Sequence, residues 1–283
     1  MKDFRGKVAA ITGAGSGIGR ALALALARDG ARLALSDVQD EGLDETARQV
    51  LALGATCTTA HVDVANRDAV FAWADACARE HGQVHLAINN AGVALAAPAE
   101  SVSPEDFEWL MGINFWGVVH GSQAFLPHLK ASGDGHLVNL SSIFGIVAMP
   151  TQSAYNAAKF AVRGYTEALR MELQIEGAPV GVTCVHPGGI ATNIVRAQRI
   201  DPAIQRLTGG TEEGFRRAAD RSIQTTSPEA AARRILHGVQ RNESRVLVGP
   251  DARVLDIMAR LLGAGYQRLL VKRALRMREE RPT

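Results

Sequence analysis

The sequence predicts an α/β fold: a single domain built on a doubly wound parallel sheet of about seven strands flanked by helices. Three features carry the expectation. Short apolar runs alternate with helical runs through the first two-thirds of the 283 residues. Those runs are nearly continuous in Val, Ile, Leu and Ala, as strands are when helices cover both faces of a sheet. A glycine-rich turn joins the first run to the first helix, and repeated strand–helix units imply right-handed crossovers.

The expected strands are Val8–Thr12, Arg32–Ser36, Thr56–Val62, Val84–Asn89, Gly135–Leu140 and Val180–Val185. Helical runs lie between them near 17–29, 40–53, 66–81, 103–130 and 152–176. A seventh strand is expected at Arg245–Val248, after a helix opened by Ser227-Pro228-Glu229. There Ser suits the N-cap, Pro the first turn, and Glu the positive helix end. Residues 189–226 break the alternation with six arginines, Asp201-Pro202 and Gly209-Gly210, and have no strand pattern. They read as a binding loop or lid beside the domain of residues 1–252. Residues 253–283 read as a basic, amphipathic helical extension with eight Lys/Arg against three Asp/Glu.

Composition excludes several classes. With 47% hydrophobic and 21% charged residues the chain is globular, not disordered. A net charge of +2 is too small for a nucleic-acid footprint, so no nucleic-acid partner is expected. Cys57, Cys77 and Cys184 lack metal or redox spacing, and an odd count argues against a disulfide framework; no metal site is expected. The N-terminus has only a short apolar run, and no stretch reaches the length of a transmembrane helix. The expectation is a soluble, reduced, cytoplasmic protein.

The turn after the first strand reads Thr12-Gly13-Ala14-Gly15-Ser16-Gly17-Ile18-Gly19. Its glycines let the backbone approach a diphosphate, and the next helix aims its N-terminal N–H groups at the anion. A P-loop is excluded because no Gly-Lys-Ser/Thr follows, and GxGxxG fails in every frame. The pattern that fits is TGxxxGxG through Thr12, Gly13, Gly17 and Gly19. Asp37, closing the second strand, can accept hydrogen bonds from ribose hydroxyls and would repel a 2′-phosphate. Neither Ser16 nor Val38 is basic, so NAD is favoured over NADP. Taken alone, Asp37 is also compatible with a solvated turn residue.

Tyr155 and Lys159 lie one helical turn apart on one face. A nearby ammonium stabilises tyrosinate, and such a phenol can exchange a proton with a substrate oxygen. Ser142 follows the strand ending at Leu140, where open α/β sheets place ligands, and its hydroxyl can hydrogen-bond a carbonyl gaining charge. By itself Ser142 reads first as an ordinary loop serine.

Together these residues resemble the short-chain dehydrogenase/reductase family over about residues 5–250. Asn89-Asn90-Ala91-Gly92 is similar to the family's NNAG, Asp63-Val64 to its adenine-contacting pair, and Ile113-Asn114 to the segment with its active-site Asn. Ser142, Tyr155 and Lys159 match the catalytic set, and Pro187-Gly188 with Thr192 the PGxxxT segment. The resemblance implies a Rossmann-type fold with Tyr155 as acid/base and Ser142 polarising the substrate oxygen. It implies that Lys159 binds the nicotinamide ribose and lowers the Tyr155 pKa, and that Asn114 holds a water of the proton relay. Thr192 and the Ile190 backbone would hold the carboxamide. Gly13, Ser16, Gly17, Ile18, Gly19, Asp37, Asp63, Val64, Asn90, Ala91, Gly92, Pro187 and Gly188 complete the expected cofactor site. The C-terminal extension has no counterpart in the pattern.

The remaining groups have blander readings. His186 reads as a packed histidine, the three cysteines as buried thiols, and Tyr165 and Tyr266 as packing or surface groups. The arginines of 189–226 suit a solvated lid, with an anionic substrate as the alternative. Val93–Ala97, Ile143–Pro150 and the 189–226 segment are the expected substrate walls, and their apolar residues favour a lipophilic alcohol or ketone. The expected function is NAD-dependent hydride transfer with such a substrate, as an alcohol dehydrogenase or ketone reductase. The alternative is a catalytically idle NAD-binding module whose tail recruits a partner or membrane.

The resemblance implies a homodimer or homotetramer formed through the helices near 103–130 and 152–176, with Ala157, Ala158 and Ala161 permitting close approach. In the tail, Val254, Ile257, Met258, Leu261 and Leu262 recur at helical spacing, as do Leu269, Leu270, Ala274 and Met277. A helix broken at Gly263-Ala264-Gly265 and packed on protein is the preferred reading. A helix lying on an anionic membrane is the other.

Overall fold

The computed structural model describes residues 1–222 and 225–279. Seven parallel strands form one sheet: β1 (Val8–Thr12), β2 (Arg32–Asp37), β3 (Cys57–His61), β4 (Leu86–Asn89), β6 (Gly135–Leu140), β7 (Val180–Pro187) and β9 (Arg245–Val248). Their order is β3-β2-β1-β4-β6-β7-β9. The chain winds outward from β1 in one direction and from β4 in the other, so the loops after β1 and β4 diverge. That crevice is where doubly wound sheets bind ligands.

Alternate strand residues face two helical layers. Ile11, Leu33, Leu35, Leu86 and Ile88 pack with α1 (Gly17–Arg28), α2 (Asp40–Ala52) and α9 (Pro228–Gln240). On the other face Ala10, Ala34 and Ala87 are small, and there α3 (Arg67–His81) brings Trp73 edge-on to Phe125 of α5 (Gly117–Ala131), 5.2 Å between centroids. The long α6 (Ser153–Glu176) completes that layer through Leu169 and Leu173.

The expected 103–130 helix is interrupted. After α4 (Pro104–Met111), capped by Ser103, residues Gly112–Trp116 form a π-turn before α5. Such turns recur at functional sites because they shift side chains out of helical phase; here the shifted residue is Asn114. The 189–226 segment, read as lacking a strand, contains β8 (Arg199–Ile200), which pairs in parallel with β5 (Leu95–Ala96). Two residues are too few to leave a periodic signature. Short α7 (Ile204–Thr208) and α8 (Glu212–Ser222) follow.

The tail is helical from α10 (Pro250–Leu262) through a 3₁₀ turn at Gly263–Gly265 into α11 (Tyr266–Glu279). One face packs inward: Ala252, Leu255, Met258, Ala259, Tyr266 and Leu270 meet Ile143, Ile146 and Val147. The Tyr266 hydroxyl accepts a bond from Ala148 N at 2.9 Å. The side chain of Met277 lies outside the described residues. α11 runs back over α7, where Gly209 (φ +65°) leaves room for Arg278; a Cβ there would stand 3.0 Å from Arg278 Cγ. Among the described residues no helix is long and apolar enough to cross a membrane.

Two buried histidines set an acid limit on this fold. Burial holds His136 down to about 3 and His186 down to about 4. Their neutral forms contribute stability that is fully present above about pH 6.5. It is lost as pH falls towards about 4 for His186 and about 3 for His136, because the unfolded chain then binds more protons. Thermal melts between neutral pH and pH 4 should show Tm falling, with a shallower fall in His186→Gln. An unchanged slope in that variant would remove His186 from the account.

Candidate active site

The glycine turn is shaped by close approach. At Gly13 (φ +66°) a Cβ would stand 2.7 Å from Ala91 Cα, and at Gly19 it would collide with the Gly13 carbonyl. The Thr12 hydroxyl accepts N–H bonds from Asn90 (3.0 Å) and Ala91 (3.1 Å), while Asn90 Nδ2 donates to the Thr12 and Gly13 carbonyls at 2.9 Å. The loops after β1 and β4 are thereby locked together. Sequence reasoning missed Arg20 and Thr46, which fix the turn from α1 and α2. Arg20 donates to the Gly15 and Gly42 carbonyls and to Thr46 Oγ1, and Thr46 donates to the Ala14 carbonyl at 2.9 Å.

A diphosphate fits this cradle. The N–H groups of Gly17, Ile18 and Gly19 open α1 and have no helical carbonyl behind them, and Ser16 before them is exposed. Thr192 closes over Gly17, its Cγ2 3.0 Å from where a Cβ would sit. Asp37 accepts from Gly15 N (2.8 Å) and Gln39 N (3.0 Å), leaving each carboxylate oxygen a further lone pair toward the cleft. Asp63 is exposed beside the buried Val64, its Oδ1 accepting from Ala65 N.

The structure brings the expected residues to one cavity of about 1570 Å³. Gly13, Gly15–Ile18, Asp37, Asp63, Val64, Asn90–Gly92, Ser142, Tyr155, Lys159, Pro187, Gly188, Ile190 and Thr192 all line it. Gly19 and Asn114 stand behind the lining. The Ser142 hydroxyl hydrogen-bonds the Tyr155 phenol and accepts from Phe144 N at 3.1 Å. Phe144 stands edge-on to the Tyr155 ring. Lys159, 4% exposed, donates from Nζ to the Leu140 carbonyl at 3.0 Å and lies 5.7 Å from the Tyr155 ring centre.

The expected lowering of the phenol pKa is not found. Burial raises Tyr155, with the Ser142 bond pulling it back, and burial lowers Lys159 to about 8. An ammonium at this distance, itself penalised by burial, does not outweigh desolvation of the phenolate. Asn114 is held in place through its own side chain. It is fully buried, and its amide is engaged in a reciprocal pair with Val93: Val93 N to Oδ1 and Nδ2 to the Val93 carbonyl, both 2.8 Å. Those two bonds fix the side chain behind the cavity lining and leave one Oδ1 lone pair and one Nδ2 proton unused.

Other positioning residues carried no sequence signal. Asn156, beside Tyr155, donates to the Phe144 and Val147 carbonyls and accepts from Met149 N, fixing the loop after Ser142. Thr151 has φ +70°, a strained conformation for a β-branched residue, at the cavity edge just before α6. Its carbonyl accepts from Ala97 N. Beneath β4, Asn89 Nδ2 donates to Asn139 Oδ1 at 2.8 Å, and Gly121 supplies the space Asn89 occupies.

The substrate end is apolar. Val93, Ala94, Ile143, Phe144, Met149 and Pro150 line it as expected, but Ile146 and Val147 turn under the tail. Val195, Leu207 and Phe215 add the lid, and Leu255, Leu270, Arg273 and Ala274 add the tail, which sequence reasoning did not place there. None of the six lid arginines lines the cavity. Arg196 pairs with Asp220, Arg199 with Asp106 and Arg206 with Glu100, while Arg216 and Arg217 pair with Glu212 and Glu213. The Arg199 and Arg206 pairs tie the lid to the domain, while the other three lie within the lid itself. His186 is packed, its Nδ1 3.0 Å from the Ser142 carbonyl, and burial pushes the thiols of Cys77 and Cys184 up to about 12.

Comparison with known proteins agrees with this geometry. Residues 7–203 match the family model for short chain dehydrogenase. The chain is 51% identical over 270 residues to the putative oxidoreductase SadH of Mycobacterium tuberculosis H37Rv, covering 95% of this chain and 96% of that one. It is 34% identical over 257 residues to the C alpha-dehydrogenase of Sphingobium sp. SYK-6, covering 89% and 84%. A Burkholderia phymatum short chain dehydrogenase/reductase solved with NAD superposes with TM-score 0.84 at 32% identity, covering 93% of this chain and 95% of that one.

Proposed function

The chain belongs to the short chain dehydrogenase family, and on that footing we propose that it transfers hydride between NAD(H) and a lipophilic secondary alcohol or ketone. The observation that carries the reading is convergence: the Ser142–Tyr155 hydroxyl pair and the buried Lys159 open onto the same cavity as the glycine cradle. The cradle of residues 13–19 would hold the diphosphate, Asp37 the adenosine ribose, and Asp63 with Val64 the adenine. Lys159 would hold the nicotinamide ribose, and Ile190 with Thr192 the carboxamide, while Asn90–Gly92 and Pro187-Gly188 close the cleft.

Bound there, the nicotinamide dinucleotide supplies the hydride donor or acceptor. Ser142 Oγ donates to the substrate oxygen and fixes it beside Tyr155. Tyr155 Oη takes the alcohol proton in oxidation and returns it in reduction. Lys159 favours the anionic phenol once the phenol gives up its proton. Asn114, fixed by its two bonds to Val93, would hold a relay water. The apolar walls exclude water and select a lipophilic substrate.

A screen of lipophilic alcohols with NAD, followed by NADH absorbance, tests the reading. Dinucleotide binding without turnover of any alcohol or ketone would favour the idle binding module instead. NAD is preferred over NADP because Asp37 faces the ribose position and Arg20 is consumed in the turn. Asp37→Ala should narrow the NAD/NADP ratio of kcat/KM about tenfold or more. Adding Val38→Arg should move it towards NADP. Equal kcat/KM for the two cofactors in the wild type would overturn this preference.

The same reading includes a homodimer or homotetramer. Exposed Trp116, Phe160, Met171 and Ile175 leave an apolar face on α6 and the π-turn, and exposed Ala157 allows close approach. Ala158 does not serve there, since it packs inward with Leu95 and Leu110. Light scattering at micromolar concentration should give a multiple of 30.1 kDa. A monomer would contradict the assembly.

A further inference from the structure

The inward face of the tail is accounted for by the domain; the outward face is not. On α10, Val254, Ile257 and Leu261 recur at spacings of three and four, opposite the packed Leu255 and Ala259, and Leu261 is 79% exposed. On α11, exposed Val271 and Leu275 stand four apart, opposite Leu270. A shallow groove of about 590 Å³ runs along this helix, lined by these two residues with Gln267, Arg268, Lys272 and Arg276.

The charge on this face is predominantly positive. Arg268, Lys272 and Arg276 form a row at four-residue spacing, which destabilises a helix unless an outside partner compensates. Among the described residues from 252 to 278 the only carboxylate is Asp256. It is buried and bound by Arg245 and Arg260. A second copy of this face would set its basic rows against each other, with Glu279 the only acidic residue of α11 to oppose them. A surface that is both apolar and anionic would satisfy it.

We propose that the outer face of the α10–α11 hairpin docks the protein on an anionic lipid bilayer. The apolar stripes enter the acyl boundary while the arginines and Lys272 meet the headgroups. The 3₁₀ turn at Gly263–Gly265 divides the surface into two short arms, so no continuous helix is required. The docking stands on the tail surface alone and does not depend on the oxidoreductase reading.

Full-length protein should co-sediment at low salt with vesicles of phosphatidylcholine and phosphatidylglycerol but not with pure phosphatidylcholine, and the bound fraction should fall as salt rises. Arg268→Gln with Lys272→Gln should lower partitioning roughly 30-fold, each charge near the surface counting about fivefold. Leu261→Ser with Leu275→Ser should abolish the binding that survives moderate salt. Both variants should keep the wild-type Tm, which separates lost docking from lost folding. Wild-type protein that stays in the supernatant with anionic vesicles would overturn the proposal, as would equal binding to neutral vesicles. So would serine variants that dissociate an oligomer and leave vesicle binding unchanged, since the face would then belong to a second copy.

Discussion

Tyr155→Phe is expected to lower kcat by about 10²–10⁴-fold while NADH affinity stays within a few-fold of wild type. The substitution keeps the ring that Phe144 meets edge-on and removes only the hydroxyl bonded to Ser142. Nothing in the diphosphate cradle touches that oxygen, so binding and chemistry separate. Lys159→Ala should damage both, because Lys159 faces the cofactor end of the cavity as well as the phenol ring. Single-turnover rates with tightly bound NADH would make the distinction. A Tyr155→Phe protein retaining most of its kcat would show that the proton comes from elsewhere.

Truncation after Asp251 is expected to leave a protein that is insoluble or melts far below the full chain. Leu255, Met258, Tyr266 and Leu270 cover Ile143, Val147 and Leu247. A fully buried side chain of this size contributes about 1.5–3 kcal/mol. Even partial burial of four such residues sums to several kcal/mol, comparable with the whole stability of an ordinary domain, about 5–15 kcal/mol. Tyr266→Phe isolates one component. It leaves Ala148 N without its acceptor and should cost about 0.5–1.5 kcal/mol in denaturant melts. A truncated protein as soluble and heat-resistant as the full chain would refute the packing role of the tail.

The sheet was legible because burial on both faces demands continuous apolar runs, and Ala10, Ala34 and Ala87 on one face did not obscure them. The glycine turn was legible because its conformation excludes other residues at Gly13 and Gly19. Strand ends were less so. β3 begins at Cys57 and β4 at Leu86, later than the apolar runs suggest, while β2 and β7 extend to Asp37 and Pro187. Pairing with neighbours, not composition, sets those limits. Three features depended on contacts distant in sequence and left no local trace. The π-turn at Asn114 exists because the amide reaches back to Val93, β8 because Arg199 and Ile200 find Leu95 and Ala96, and the tail wall because α11 returns across the lid.

That return has a consequence for how the cavity opens. Its outer wall is two arms, residues 204–222 and 250–279, which meet where Arg278 passes over Gly209. Neither arm contributes a strand to the sheet, so the two can part without disturbing a single rung of the β ladder. Breathing along this seam therefore leaves the core intact. Amides of α7 and α11 should exchange with solvent long before those of β1 or β4. A large guest would enter and leave on the timescale of two surface helices separating, while the reacting hydroxyls stay fixed to a floor that does not move.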